Sequence, residues 1–198
     1  MTANLLLAFV AFAVVMSVTP GPNNAMMVAS GANFGFRQSV PHILGISGGM
    51  VAMIVAVGLG LGGLFEAWPP LYDILRWVGA TYLLWLAWRL AQSGGPRDIG
   101  PPARPVTFIG AAAFQWVNPK AWILSLGAVT AYIPQDGYVR NLLLVAVTFG
   151  LIAIPSAGLW AGFGLALRRF LDAPGRGVLF NRVMAVLLAL SIYPIVRH

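Results

Sequence analysis

Two short strings of polar and helix-breaking residues stand out in an otherwise apolar chain. One is Thr19-Pro20-Gly21-Pro22-Asn23-Asn24; the other is Asn118-Pro119-Lys120, with Gln115 one turn earlier. Proline removes a backbone donor and clashes with the carbonyl four residues back. It also pushes the preceding residue out of the α region, so a helix running into either string is interrupted there. Thr19-Pro20 and Asn118-Pro119 each read as an N-cap followed by proline at the first helical position, and Gly21-Pro22 prolongs the first interruption. The helix that restarts presents unpaired N–H groups and a partial positive charge, which suit a carboxylate. Asn23 and Asn24 either hold an amino or carbonyl group or satisfy the broken backbone. Gln115 adds a donor and an acceptor expected to face the same cavity. Lys120, the only lysine, either pairs with a substrate carboxylate, acts as a proton-linked switch, or ties down carbonyls at the Pro20–Pro22 break. The candidate substrate-binding set is therefore Thr19, Pro20, Gly21, Pro22, Asn23, Asn24, Gln115, Asn118, Pro119 and Lys120.

This is recognition chemistry, not bond-making chemistry. The chain has no paired carboxylates in an apolar stretch, no His cluster, no glycine-rich phosphate loop and no metal-ligand spacing. The absence of Cys excludes disulfides, thiolate metal sites and thiol catalysis. No catalytic residue, metal site or cofactor is expected, and the chain reads as a non-enzyme.

The elements that must position these residues belong in a bilayer. Hydrophobic residues make up 59% of the chain and charged residues 9%, with a mean hydropathy of +0.83. A water-facing surface draws on roughly a quarter charged residues, so lipid must be the outer solvent. The +7 net charge does not indicate nucleic acid, because the cations sit singly or in small groups beside apolar runs, as topology signals do. A spanning helix needs about 20 apolar residues, and six stretches qualify: residues 4–29, 40–64, 71–91, 106–133, 141–167 and 178–196. The first has no basic n-region and is broken at its centre, so it is read as mature structure and not as a signal peptide. On its own span, Thr19 falls roughly 22 Å in and Asn118 roughly 18 Å in, at about 1.5 Å per residue. Both depths lie inside a hydrocarbon layer about 30 Å thick.

The two strings are also related to each other. Phe9 precedes Val18 by nine residues and Phe108 precedes Val117 by nine, an offset of 99, half of the 198 residues. Each half then holds three spans and enters the membrane from opposite sides, the 3+3 inverted-repeat plan in which interrupted helices in matching positions point to the binding site. The expected architecture is an all-α polytopic membrane protein forming one transmembrane domain over residues 1–198. Its halves lie at about 1–95 and 105–198, with the first and fourth helices broken at proline. Basic residues divide unevenly between the sides: Arg37, Arg89, Arg97, Arg104, Arg168, Arg169, Arg176 and Arg182 against Arg76, Arg140 and Arg197, the latter tempered by Glu66, Asp73 and Asp136. The richer side belongs in the cytoplasm, which puts both termini on the outer face.

Other features read more plainly. His42 is expected near the cytoplasmic end of the second span. Trp68, Trp77, Tyr82, Trp85 and Trp88 read as belt and packing residues, and Pro155 as a kink in the fifth span. Gly45/Gly49, Gly58/Gly62 and Gly158/Gly162 have GxxxG spacing, which predicts close helix packing within the subunit or in a homo-oligomer.

With these residues in hand, the sequence resembles the LysE/RhtB family of bacterial amino-acid exporters, over essentially the whole chain. The likeness rests on Thr19-Pro20-Gly21-Pro22-Asn23-Asn24, on Gly35-Phe36-Arg37-Gln38-Ser39, on the stretch from Trp77 to Trp88, and on Asn118-Pro119-Lys120. The middle two point to the cysteine and O-acetylserine exporter branch. The resemblance implies a multi-pass protein of the bacterial inner membrane that expels amino acids or their derivatives by proton-driven exchange. Its partners would be a small amino acid and the lipid bilayer. Many members carry an Asp in the second span, where this chain reads Gly45-Ile46-Ser47-Gly48-Gly49-Met50. Losing that anion argues against cationic substrates and leaves the proton-coupling group unassigned.

The expected function is therefore secondary export of a small zwitterionic amino acid. Lacking an ATP site, any uphill transport must draw on an ion gradient. Membrane thiol carriers of three-plus-three layout need cysteines at the broken helices and are excluded. The remaining alternative is a non-transporting scaffold or assembly protein, which explains the GxxxG pairs but not polar breaks in mid-membrane.

Overall fold

The computed structural model describes residues 1–68, 70–93, 105–171, 173 and 175–193, and among them the only regular structure is helical. Helix α1 (Ala3–Val18) starts where the Thr2 side chain accepts from Leu5 N at 3.3 Å. It is followed by α2 (Pro22–Phe34), and the axis bends by 57° between them. Helix α3 (Phe36–Ala56) runs through a π-helical turn (Val57–Leu61), where Gly60 takes φ 111°, into α4 (Gly62–Ala67). Helix α5 (Pro70–Gln92) follows. The second half holds α6 (Phe108–Gln115), capped by the Thr107 side chain accepting from Gly110 N at 3.1 Å, then α7 (Pro119–Tyr132), α8 (Tyr138–Leu171) and α9 (Arg176–Leu190). Arg97, Arg104 and Arg197, the far end of the last expected span at Val196, and the side chain of Glu66 lie outside the described residues.

Among the described residues two helical runs, Phe36–Leu61 and Tyr138–Leu171, are long and apolar enough to cross a membrane, and the bent pair α1–α2 makes a third if it counts as one span. The surface is inverted relative to a water-soluble fold. Ile109, Leu159 and Leu7 are 76%, 71% and 66% exposed, whereas Gln115, Asn118 and Asn181 are 0%, 2% and 0% exposed. Water would have selected the opposite arrangement; lipid outside and polar contacts inside account for this one. Trp68, Trp77, Trp85 and Trp88 are all exposed.

Interhelical hydrogen bonds join distant parts of the chain. Ser47 Oγ donates to the Gly150 carbonyl at 2.9 Å, joining α3 to α8. Asn33 donates to Asn181 Oδ1 at 3.0 Å, joining α2 to α9. His42, in the second turn of α3, is 1% exposed, and neither ring nitrogen has a hydrogen-bond partner.

A Cβ on Gly45 would come within 2.4 Å of the Phe108 carbonyl oxygen and one on Gly49 within 2.7 Å of the Ala112 backbone, so that pair does seat α6 against α3. Within the subunit Gly158 and Gly162 make no contact of this kind: the first faces the Phe36 ring at 3.7 Å and the second faces open space. The tight crossing of α2 and α8 uses Gly31 and Gly164 instead, where an added Cβ would lie 2.0 Å from the Ala161 carbonyl oxygen and 2.1 Å from that of Val28. Both obstacles are backbone, which cannot swing aside. Gly31→Ala or Gly164→Ala is therefore expected to force the helices apart and to cost about 1–3 kcal/mol or more, as overpacking does. Gly162→Ala should melt with the parent protein. Thermal unfolding in detergent micelles separates the two outcomes, and equal loss in all three variants would contradict the crossing described.

Candidate functional site

Both polar strings fall between helices. After Val18 the chain needs acceptors and donors that a continuous helix would have supplied: Val18 O would look to residue 22, which is proline and has no N–H. Gly21 is fully extended (φ −173°, ψ −178°) and Pro22 occupies the first position of α2, so the helix restarts at the second proline and not at the first. Thr19 is accordingly not the N-cap of α2. It closes α1, its hydroxyl donating back to the Val15 carbonyl at 2.6 Å. Asn118 does cap α7: its side chain accepts from Lys120 N at 3.2 Å, with Pro119 in the first helical position.

The freed carbonyls of α1 are taken up by two side chains. Asn24 Nδ2 reaches the Ser17, Val18 and Thr19 carbonyls at 3.1, 3.5 and 2.9 Å. Lys120 Nζ donates to the Thr19 carbonyl at 2.5 Å. Asn23 and Gln115 exchange hydrogen bonds across the two halves, Asn23 Nδ2 to Gln115 Oε1 at 2.9 Å and Gln115 Nε2 to Asn23 Oδ1 at 3.3 Å. Gln115 also donates to the Ala111 carbonyl at 2.8 Å. At the second break, the Val117 carbonyl lies so close to α5 that a Cβ on Gly79 would come within 2.0 Å of its oxygen.

One contrast between the breaks follows from the caps. The start of α7 is served by Asn118, but no side chain caps α2. The first-turn N–H groups of Asn23 and Asn24 therefore have no acceptor within their own helix.

A cavity of about 50 Å³ lies against these groups. Of the residues singled out in the sequence, it is lined by Gly21, Pro22, Asn23, Asn24, Asn118 and Lys120. Gln115 is fully buried behind Asn23 and is not part of the lining, and Pro119 is likewise not part of it. Pro20 lines a separate apolar groove between α2, α8 and α9, and Thr19 reaches the site through its carbonyl. The rest of the wall comes from Ile46 and Met50 on α3, Ala121 and Leu124 on α7, Phe149, Ala153, Ser156 and Ala157 on α8, and Met16 and Ser17 on α1. None of these carried a local signal in the sequence, since an ordinary Leu, Met or Ser in an apolar run looks the same whether it faces lipid, core or cavity. Among the lining residues Lys120 is the one with a formal charge. The arrangement offers a cation, uncapped N–H groups and amides on one side and an apolar wall on the other.

Comparison with known proteins gives a consistent picture over nearly the whole chain. It is 34% identical over 190 residues to the cysteine/O-acetylserine efflux protein of Escherichia coli O139:H28, covering 95% of each chain. It is 33% identical to proteins of the same description from Escherichia coli K12 and Shigella flexneri, again over 190 residues and 95% of each chain. No solved structure matches it. A family model described as LysE type translocator matches residues 14–192, and the chain belongs to that family.

Proposed function

We propose that the protein is a secondary transporter of the bacterial inner membrane that exports a small zwitterionic amino acid or derivative, driven by the proton gradient. The observation that carries this reading is the polar cavity between the two chain breaks, where Lys120, Asn118 and the uncapped start of α2 meet. The substrate carboxylate lies at the N–H groups of Asn23 and Asn24 with Lys120 beside it; α2 is preferred to α7 because Asn118 already occupies the α7 N-terminus. Thr19, Pro20, Gly21, Pro22, Gln115 and Pro119 hold this geometry. Neutral substrates fit better than cationic ones, since no carboxylate lines the cavity and since related proteins are described as cysteine/O-acetylserine efflux proteins.

The mechanism rests on an inverted 3+3 repeat of six spans. Its support is the way packing pairs off when the halves are exchanged: α1 and α2 lie on α8, as α6 and α7 lie on α3, while the equivalent pairs α3–α8 and α5–α9 touch directly. Gly21 and Lys120, equivalent under the offset of 99 residues, also meet. Rocking of one half on the other opens the site alternately to the two sides. The first turn of α3 and the last of α8 share one end of the molecule, since a Cβ on Gly35 would stand 3.6 Å from the Arg168 guanidinium. Arg37, Arg168, Arg169 and Arg176 gather there, which supports a cytoplasmic position for that end and outward-facing termini. A non-transporting scaffold would have no use for an uncapped helix start at a polar cavity.

Reconstituted vesicles test the reading. Neutral amino acids should move across the membrane, several-fold faster with an imposed pH gradient than without one. Uptake no faster than in protein-free vesicles, for every neutral amino acid tried, would remove the transport assignment.

A further inference from the structure

Serine and threonine hydroxyls in apolar helices normally fold back onto the carbonyl four residues earlier. Thr19, Ser39 and Thr130 do so in this protein, donating to the Val15, Gly35 and Leu126 carbonyls at 2.6, 2.9 and 2.8 Å. Two serines in the cavity wall do not. The hydroxyls of Ser156 on α8 and Ser17 on α1 are buried and have no hydrogen-bond partner. Ser125 is also unpartnered but is not part of the cavity lining, so it is the position of the other two that matters. They stand in a wall otherwise built from groups such as Met50, Phe149 and Ala153. A buried hydroxyl without a partner is disfavoured, and an occupant of the cavity that brings a donor or acceptor relieves it.

We infer that Ser156 and Ser17 select the substrate by its side chain, favouring an amino acid whose short side chain ends in a hydroxyl or thiol over the apolar isostere. The inference rests on the transport reading above and adds the specificity residues to it. The cavity volume sets the length: about 50 Å³ is only a few times the roughly 10–15 Å³ that holds one water. With the carboxylate and ammonium in the same cavity, room is left only for a short side chain. Carboxylate and ammonium recognition stay at the chain breaks, so the serines decide between substrates and not whether an amino acid binds.

L-Serine, L-cysteine and L-2-aminobutyrate differ only in carrying OH, SH or CH₃ at the same place, and their transport into vesicles of the reconstituted protein provides the test. The parent protein should prefer serine or cysteine to 2-aminobutyrate by about tenfold or more, the discrimination expected of a site that must hydrogen-bond its ligand. Ser156→Ala should bring that ratio close to one by slowing the polar substrates, with a melting temperature near that of the parent as the sign of a folded protein. Ser156→Thr, which keeps the hydroxyl, should restore much of the preference. If Ser156→Ala fails to insert, Ser17→Ala read by the same ratio takes its place, with a smaller change expected. An unchanged ratio in whichever alanine variants insert, or a parent protein that favours 2-aminobutyrate, overturns the assignment. Transport of other neutral amino acids but of none of these three by the parent protein overturns this inference alone; transport of no neutral amino acid at all overturns the transport reading and this inference with it.

Discussion

Lys120→Met should reduce transport of a neutral amino acid by about thirtyfold to a thousandfold in kcat/KM, the range found when one member of a buried charge pair is truncated. The lysine is the sole formal charge in the cavity lining, and a carboxylate brought out of water needs it. Its ammonium also donates to the Thr19 carbonyl, so the same substitution removes a contact at the break. The two roles separate experimentally. Thr19 O keeps its bond from Asn24 at 2.9 Å, so the melting temperature of Lys120→Met should fall by only a few degrees while transport collapses. Lys120→Arg, which preserves the charge but not the compact ammonium, should recover part of the rate. A variant that melts far below the parent yet transports normally once inserted would make Lys120 a structural tie and leave the carboxylate to the α2 N–H groups alone.

What the sequence could and could not disclose divides along the same line between local and distant causes. Asn118-Pro119 is readable as a helix start because a cap and the proline after it need only their immediate neighbours. Thr19-Pro20 looks identical but is followed by a second Gly-Pro step, and the extended backbone at Gly21 moves the start of α2 to Pro22. That choice depends on Asn24 reaching back over the gap to the end of α1, a contact that residue types alone do not announce. Gln115 was legible as polar and near the break, but its partner Asn23 lies 92 residues away and turns it from a cavity group into a support. The burial of His42 and the open face of Gly162 were hidden for a related reason. Spacing fixes which face of its own helix a residue occupies, whereas burial depends on which other helix covers that face. Gly31 has GxxxG spacing with Gly35, where α2 ends, and Gly164 has no such partner, yet Gly31 and Gly164 make the closest backbone crossing of α2 with α8.

Asn24→Leu should be the most destabilising of the polar-to-apolar substitutions at the first break, by on the order of 3 kcal/mol, since each buried polar group left unpaired costs about 1–3 kcal/mol. The reason lies in what a broken helix leaves behind. Carbonyls of the last turn of α1 would normally accept from residues four ahead, but Gly21 is extended and Pro22 has no N–H. In lipid no bulk water replaces those donors. A single side-chain amide, 8% exposed, covers the carbonyls of Ser17, Val18 and Thr19 instead. Leucine is close to asparagine in size, so the loss is mainly one of hydrogen bonding and not of volume. Asn24→Asp should be at least as damaging, because a carboxylate at that position faces carbonyl oxygens with no proton to offer. Gln115→Leu should cost less: Asn23 would lose its cross-half partner, but Asn23 is half-buried at the cavity, where an entering water can stand in. Thermal unfolding in lipid nanodiscs ranks the three variants. Asn24→Leu melting within a degree or two of the parent would mean that the α1 carbonyls find other donors, and the break would then be held by its prolines and by Lys120 alone.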